Sequence, residues 1–197
     1  MLNIACNNWR EQYPAMPRVS VAIRNDAEYL RLRYKVKGKE LLAASNEDHS
    51  KVWCDSCVEF FCRLPEQAFY LNFEINCIGA MTAARREGRD KNVEILSLDK
   101  MHRILRYAPL AERFTTPFHE AFEQEWEVGM DIPFYLLSGV SEKQWREEGS
   151  VLPKTLLCNF YACADNAKEP YYLSWAPIAT PAPDFHRPEF FSAYHLW

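Results

Sequence analysis

The sequence predicts an all-β protein, an antiparallel β-sandwich of the immunoglobulin-like or jelly-roll-like kind with one or two short helices. Three observations lead to this prediction. Short runs in which apolar and polar residues alternate recur along the chain, turn-forming residues separate these runs, and few runs have helical spacing. Hydrophobic residues make up 48% of the 197 residues, which suffices for one sizeable core. We therefore expect a single domain over residues 1–197, with an irregular N-terminal extension at 1–17.

Residues 52–63 and 69–77 form the central pair of predicted strands. In each run one face is apolar and the other is polar or mixed. The mixed face of the first run carries Trp53, Asp55, Cys57, Glu59, Phe61 and Arg63. The polar face of the second run carries Tyr70, Asn72, Glu74 and Asn76. If both apolar faces meet one core, the two polar faces share one side of the sheet and can grip a polar ligand.

The short connection at residues 64–67 is typical of a hairpin. One register consistent with the alternation places Asn72 opposite Glu59 and Asn76 opposite Asp55. Slips of two residues are equally allowed, because they leave every side chain on the same face.

Alternation predicts six further strands. They lie at residues 19–23, 30–36, 81–87, 126–132, 156–162 and 171–175. Weaker patterns indicate strands at 93–98 and 101–107, and residues 114–121 are predicted to be a loop.

Turn and cap signals predict the breaks between these strands. Gly79 indicates a bulge or bend. Ser141 is expected to cap a short helix at 142–148, which Gly149 ends. The tail at 177–188 is rich in proline and is not expected to form a central strand.

Charge and hydropathy exclude two classes of partner. The net charge is -4. The basic residues at 31–39 alternate with apolar ones, as expected for the solvent-exposed face of a strand. A protein that grips a nucleic-acid backbone usually carries a dense basic patch. No apolar run approaches the roughly 20 residues of a membrane span. We therefore expect neither nucleic acid nor membrane as a partner, and the oligomeric state stays open.

The N-terminus and the cysteines bear on localisation. Residues 1–9 lack a basic stretch followed by an apolar core, so no signal peptide is visible. The seven cysteines, an odd number, are most simply reduced thiols. We expect a cytoplasmic protein; a secreted protein whose leader had been removed would look the same.

Four segments, taken in order, form a distinctive set. They read HSKVWCDSCVEFF at 49–61, NFEINCIG at 72–79, WEV at 126–128 running to the isoleucine and proline at 132–133, and SWAPI at 174–178 with PDFHRPEFF at 183–191. With these segments the chain resembles the carbohydrate-binding module family 9-like proteins, which are related to the DOMON sandwich domains. The resemblance covers the chain from residue 18 to its end.

The resemblance implies a sandwich with a sugar-binding face, on which two tryptophans enclose a terminal sugar ring. The strand tryptophan and the glutamate six positions later match Trp53 and Glu59, and the second tryptophan matches Trp175. The basic residue expected between the first tryptophan and the glutamate is replaced by Cys57 or its neighbours. Some members hold structural calcium, but no acidic loop here is assignable to it, so we expect no metal and no cofactor.

The candidate residues also have a chemical rationale. A pyranose presents polarised C–H bonds that pack on the face of an indole. Its hydroxyls need carboxylate, amide or guanidinium partners. The expected carbohydrate-binding residues are Trp53, Glu59, Trp175, Glu74, Asn76 and Arg85, with Arg86 beside the last. The alternative is that the indoles are core packing and the polar residues a solvated strand face.

Two further motifs have simpler structural explanations. Cys54 and Cys57 have the spacing of a zinc knuckle, with Cys158 and Cys163 as further ligands, but on a strand they would lie on opposite faces. We expect neither a metal nor a disulfide at this pair. No nucleophile with a recognisable elbow accompanies His186, so hydrogen bonds that anchor the tail explain this histidine better than catalysis does.

Three functions are compatible with the sequence. The first, which the resemblance favours, is non-catalytic binding of a mono- or oligosaccharide, in the service of polysaccharide degradation. The second is a glycoside hydrolase with paired acids such as Glu59 and Glu74, whose carboxyls would lie about 5–9.5 Å apart. The third is a related sandwich that binds haem through His49, or that only binds another protein.

Overall fold

Strands dominate residues 1–147 and 153–196, the parts of the chain that the computed structural model describes. In chain order they are β1 (Leu2–Asn3), β2 (Arg18–Asn25), β3 (Tyr29–Gly38), β4 (Leu41–Ala43), β5 (Cys57–Arg63), β6 (Tyr70–Asn76), β7 (Met81–Arg86), β8 (Glu94–Ile95), β9 (Leu105–Tyr107), β10 (Phe118–Glu120), β11 (Gln124–Pro133), β12 (Thr155–Cys163), β13 (Tyr172–Ser174) and β14 (Ser192–His195). The α-helices are α1 (Leu98–Met101), α2 (Phe134–Ser138) and α3 (Glu142–Glu147), and 3-10 turns lie at Val52–Cys54 and Pro188–Phe190.

Two antiparallel sheets form the predicted sandwich. The first sheet has the strand order β1-β2-β3-β11-β9. The second has the order β13-β12-β5-β6-β7-β8, and β14 pairs with the same edge of β12 as β13 does, one beyond the other. A small pair, β4 with β10, lies beside them. The all-β prediction is confirmed.

The core lies between the two sheets, and strand alternation explains its composition. On β3, Leu30, Leu32, Tyr34 and Val36 are buried. They meet the inner residues of β5, β6 and β12, such as Phe60, Phe73 and Phe160. The Tyr34 hydroxyl donates a hydrogen bond of 3.0 Å to the Glu59 carbonyl and thereby joins the sheets directly.

The outer face of the first sheet is charged, as the alternation on β3 predicts. Arg31 and Arg33 both pair with Asp131 of β11, and Lys35 lies 2.7 Å from Glu125. Arg31, Arg33 and Lys35 therefore face acidic partners on the neighbouring strand.

The outer face of the second sheet is covered by the two ends of the chain. A second buried cluster there includes Trp9 from the N-terminal segment, Phe61 and Tyr161 from the sheet, and Ile178 and Phe185 from the tail. Residues 1–17 are therefore not irregular throughout: β1 pairs with β2, and Cys6 and Ser174 exchange backbone hydrogen bonds of 2.9 and 3.0 Å. The extension packs as part of the domain.

Several short elements differ from the sequence prediction. Strands β1, β4, β10 and β14 were not predicted, and β10 lies within the predicted loop at 114–121. The 93–107 region contains α1 between two strands of two and three residues. The helix after Ser141 is confirmed, with the Ser141 hydroxyl accepting a hydrogen bond from the backbone N–H of Gln144 (3.1 Å), while its predicted stop at Gly149 lies outside the described residues. Gly79 forms a turn with a φ of 90°. No helix in the described residues has the length and apolar character that a membrane crossing requires.

Candidate functional site

A pocket of about 440 Å³ opens on the outer face of the second sheet. We call it the outer-sheet pocket. It is lined by Tyr13, Trp53, Glu59, Glu74, Arg86, Arg89, Asp90, Cys163, Asp165, Tyr172, Pro183, Asp184, Phe185 and His186. The pocket therefore combines several rings with a dense set of charged groups.

The pocket floor is built by β5 and β6. Glu59 of β5 lies directly opposite Glu74 of β6, and Phe61 lies opposite Asn72. The register that placed Asn72 opposite Glu59 and Asn76 opposite Asp55 is thus wrong by two residues. Alternation cannot detect such a slip, because it leaves both carboxyls on the same face.

Trp53 forms a wall of the pocket, but it does not lie on the strand that carries Glu59. It belongs to the 3-10 turn at Val52–Cys54, and β5 begins only at Cys57. The residues between them bond elsewhere: the Asp55 carboxylate accepts the backbone N–H of Ala44 (2.8 Å), and the Ser56 hydroxyl accepts that of Leu42 (3.0 Å). These bonds divert the chain from the sheet, so the predicted strand at 52–63 is five residues too long.

A second group of rings comes from residues that the sequence analysis did not single out. Tyr13 and Tyr172 contact each other edge to face, with ring centroids 4.7 Å apart, and both line the pocket. Phe185 packs on Tyr172 at 6.3 Å. Position parity on β13 could have indicated Tyr172, whereas Tyr13 lies in a segment without a periodic pattern.

Trp175 lies away from the pocket. Its ring packs against Phe160 at 5.7 Å, next to the core between the two sheets, and it does not line the outer-sheet pocket. Asn159 holds the adjoining segment, with its Oδ1 2.9 Å from the backbone N of Ala176. The predicted pair of tryptophans is therefore not brought together on one face.

Asn76 and Arg85, two other predicted site residues, are engaged elsewhere. The Asn76 amide donates to the Asp55 carboxylate (2.8 Å) and accepts the backbone N–H of Ala80 (2.9 Å). Arg85 lies over the Phe69 ring at 3.8 Å and pairs with Glu94. Both side chains stabilise the sheet and its turns.

Of the two adjacent arginines at the end of β7, Arg86 lines the pocket and Arg85 does not. Arg86 lies opposite Tyr70 on the outer face, whereas Arg85 lies opposite the core residue Leu71. Its Nε donates to the Asn72 amide oxygen (2.8 Å), and its Nη1 donates to the carbonyl of Arg89. Arg86 is thereby oriented toward the pocket floor.

The two floor carboxyls are almost completely removed from solvent. Glu59 is 2% exposed and Glu74 is 4% exposed. Burial raises the pKa of Glu59 well above its ordinary range, and the neighbouring Glu74 raises it further. Burial also raises the pKa of Glu74 to about 7, although Arg86 and the Asn72 amide act in the opposite direction. Burial therefore favours the neutral form of each carboxyl, and a cation above them would favour the ionised form.

His186 anchors the tail against the sheet. Its Nδ1 lies 2.9 Å from the Tyr70 hydroxyl, and its backbone N–H donates to Asp184 (3.1 Å). Burial, together with Arg86 and Arg89, lowers the pKa of His186 to about 3, so the ring is neutral. These hydrogen bonds to described residues explain His186 as a structural residue that holds the tail on the sheet.

Cys57, Glu59 and Cys163 form the one group of described side chains close enough to share a metal ion, with ligand atoms within 4.8 Å of one another. Burial raises the pKa of Cys57 to about 12, and hydrogen bonding to Cys57 together with burial raises the pKa of Cys163 well above its ordinary range. The Cys163 thiol donates to Glu59 over 3.2 Å. Cys54 lies on the preceding turn and not on β5, so the strand geometry assumed for the Cys54–Cys57 pair is wrong; all seven cysteines are free thiols.

Comparisons with known proteins place this geometry in context. Residues 1–196 match the family model for carbohydrate-binding family 9. A candidate carbohydrate-binding protein from Bacteroides uniformis has a similar structure, with a TM-score of 0.88 and 32% identity over 100% of this chain and 85% of that one. No protein of curated function matches the chain.

Two more distant structures share the fold. Both are of a family 9 carbohydrate-binding module from Caldicellulosiruptor kristjanssonii. The complex with cellotriose has a TM-score of 0.56 and 13% identity, and covers 100% of this chain and 82% of that one. The complex with glucose has a TM-score of 0.54 and 11% identity, over 100% and 91% of the two chains.

Proposed function

Because this chain belongs to carbohydrate-binding family 9, we propose that it binds a mono- or oligosaccharide in the outer-sheet pocket without catalysing a reaction on it. The observation that carries the proposal is the combination, in one pocket, of ring walls from Trp53 and Tyr172 with a floor of buried carboxyls. We also propose that binding serves the breakdown of polysaccharides, as the resemblance implies.

The chemistry of a sugar ring suits these two features. The C–H face of a pyranose packs on an indole or phenol ring, which favours Trp53 and Tyr172 as the stacking residues. The hydroxyls at the ring edge then reach Glu59, Glu74 and Arg86, which supply charge-assisted hydrogen bonds. Of the six residues expected from the sequence, we keep Trp53, Glu59 and Glu74 as proposed ligand contacts.

The placement of the two carboxyls favours binding over hydrolysis. A glycosidase holds its acid pair on the two sides of the scissile bond. Glu59 and Glu74 lie side by side on adjacent strands and line the same floor. A sugar above them would have both carboxyls on one side.

The haem alternative has no support at the pocket. His49, its expected axial ligand, is exposed, has a φ of 62°, and does not line the outer-sheet pocket. His186 does line it, but its Nδ1 is bonded to Tyr70. We therefore retain sugar binding as the proposal.

The proposal is tested by removing the proposed stacking ring. A glycan array that includes glucose and cellotriose selects the sugar, and calorimetric titration measures its affinity for the wild-type protein and for Trp53→Ala. The loss of a well-packed aromatic ring should weaken binding by at least about 2 kcal/mol, or about thirtyfold. The unfolding transition should change little, because Trp53 is half-buried at the pocket wall.

Trp175→Ala is the matched control. It also deletes one indole, but from the edge of the core, where the ring contacts Phe160. We expect lower thermal stability with nearly unchanged affinity. A protein that binds no sugar on the array contradicts the proposal, and loss of binding in Trp175→Ala alone would move the site to that tryptophan.

A further inference from the structure

We infer that the preferred ligand is an amino sugar of the hexosamine type, with a free, protonated amino group. The ammonium lies over Glu59 and Glu74 on the pocket floor. This inference rests on the proposed function and specifies its substrate class. It starts from the fact that two carboxyls with almost no solvent exposure lie directly opposite each other on adjacent strands.

Within residues 1–147 and 153–196, each of these carboxyls has one oxygen that accepts no hydrogen bond from the protein. Oε1 of Glu59 accepts from the Cys163 thiol (3.2 Å), and Oε1 of Glu74 accepts from the Asn72 amide (2.8 Å). Among the described residues nothing donates to either Oε2, yet neither Oε2 is sealed from solvent. Both residues line the outer-sheet pocket, so these two acceptors point to a ligand.

The cations around the pocket do not balance its acids. Arg89 is held by Asp184, with its Nε 3.0 Å from Oδ1. Arg86 bonds to an amide and a carbonyl, and forms no ion pair within the described residues. Asp90 and Asp165 are further carboxyls at the pocket. With Arg89 and Asp184 cancelling, four lining carboxyls remain against the single guanidinium of Arg86.

An ammonium group meets this arrangement better than a hydroxyl does. An ammonium supplies three hydrogen-bond donors and a positive charge, whereas a hydroxyl supplies one donor and carries no charge. The ring walls of Trp53 and Tyr172 stabilise a cation as well as a pyranose face. A calcium or magnesium ion would leave the aromatic walls without a function and prefers six or more oxygen ligands, which two side-by-side carboxyls do not supply.

Matched sugar pairs test the inference. Calorimetric titration at neutral pH compares glucosamine with glucose, galactosamine with galactose, and mannosamine with mannose, with the N-acetylated form of each amine as a neutral control of similar shape. We expect the amine to bind at least about tenfold more tightly than its neutral partner in the pair that fits the pocket. If neutral sugars bind and no pair shows this preference, the inference fails while the proposed function stands. If no sugar binds at all, both fail.

A variant and a salt series locate the preference. Glu74→Gln should reduce the ratio of amine to neutral affinity by about tenfold, whereas Glu66→Gln in the exposed hairpin loop should leave that ratio unchanged. In the wild-type protein the ratio should also fall with added salt, and this measurement needs no variant. If the ratio of amine to neutral affinity does not change with salt, or is unchanged in a folded Glu74→Gln variant, the placement of the ammonium is wrong.

Discussion

At the scale of a single residue, the buried carboxyl of Glu74 links the pocket to the pH dependence of stability. Its pKa is about 7 in the folded protein and about 4.3 in an unfolded chain. Between these values the folded state binds more protons than the unfolded state, so the free energy of unfolding falls as pH rises. This loss is complete above the folded pKa.

Glu74→Gln should remove that loss. As pH rises from mildly acidic to mildly basic, the free energy of unfolding of the variant should increase by up to about 3 kcal/mol relative to that of the wild type. Urea unfolding at both ends of this pH range measures the difference. Glu66→Gln, which changes an exposed carboxyl, should follow the wild type. Parallel pH profiles for wild type and Glu74→Gln would show that this carboxyl ionises normally.

Single residues also show where sequence reasoning succeeds. Strand parity alone predicts that Glu59 and Glu74 share one face of the sheet, but it does not predict that they lie opposite each other. At the end of β7, strand parity places Arg86 on the pocket face of the sheet and Arg85 on the opposite face. Arg85, the predicted site residue, therefore does not line the pocket. Tyr13 was not predictable, because its place depends on docking of a segment without periodicity.

At the scale of an element, the pairing of β3 with β11 depends on Gly129. A β-carbon at this position would lie 2.5 Å from the Leu32 carbonyl oxygen, which is backbone and cannot move freely. Gly129→Ala should therefore destabilise the protein by about 1–3 kcal/mol or more, seen as a lower thermal midpoint.

Gly88→Ala is the control for that substitution. Its β-carbon would meet the Lys91 side chain at 3.5 Å, an ordinary contact in a surface turn. We expect a change of only a few tenths of a kcal/mol. Equal midpoints for both variants would mean that the strand pair tolerates the extra methyl group.

The elements that could be predicted are those with a long period. Strands β2, β3, β6, β11 and β12 each repeat the alternation over seven to ten residues, and all five were expected within two residues or so of their bounds. The short strands β4, β10 and β14 have no such alternation in the sequence. They form because a partner strand lies beside them, so tertiary context decides them.

At the scale of the whole molecule, the outer face of the second sheet was the least predictable feature. Its mixed set of indole, thiol, carboxyl and phenyl groups predicted a sheet face that can bind a polar ligand. In the structure the N-terminal segment and the tail cover much of it with Trp9, Ile178 and Phe185, which leaves a half-open pocket with a buried floor. Two segments that are far apart in sequence create this burial, and neither has a pattern that reveals its destination.

The covering of one sheet face by both chain ends couples ligand binding to local opening. Tyr13 from the N-terminal segment and residues 183–186 from the tail both line the pocket, so a sugar that contacts them binds only when both segments are docked. Its binding energy then opposes their detachment. We expect saturating sugar to slow tryptic cleavage after Arg10 in the N-terminal segment, followed by gel densitometry or mass spectrometry. Cleavage after Arg113, in an exposed segment away from the pocket, should keep its rate, and protection of both bonds alike would indicate global stabilisation in place of this local linkage.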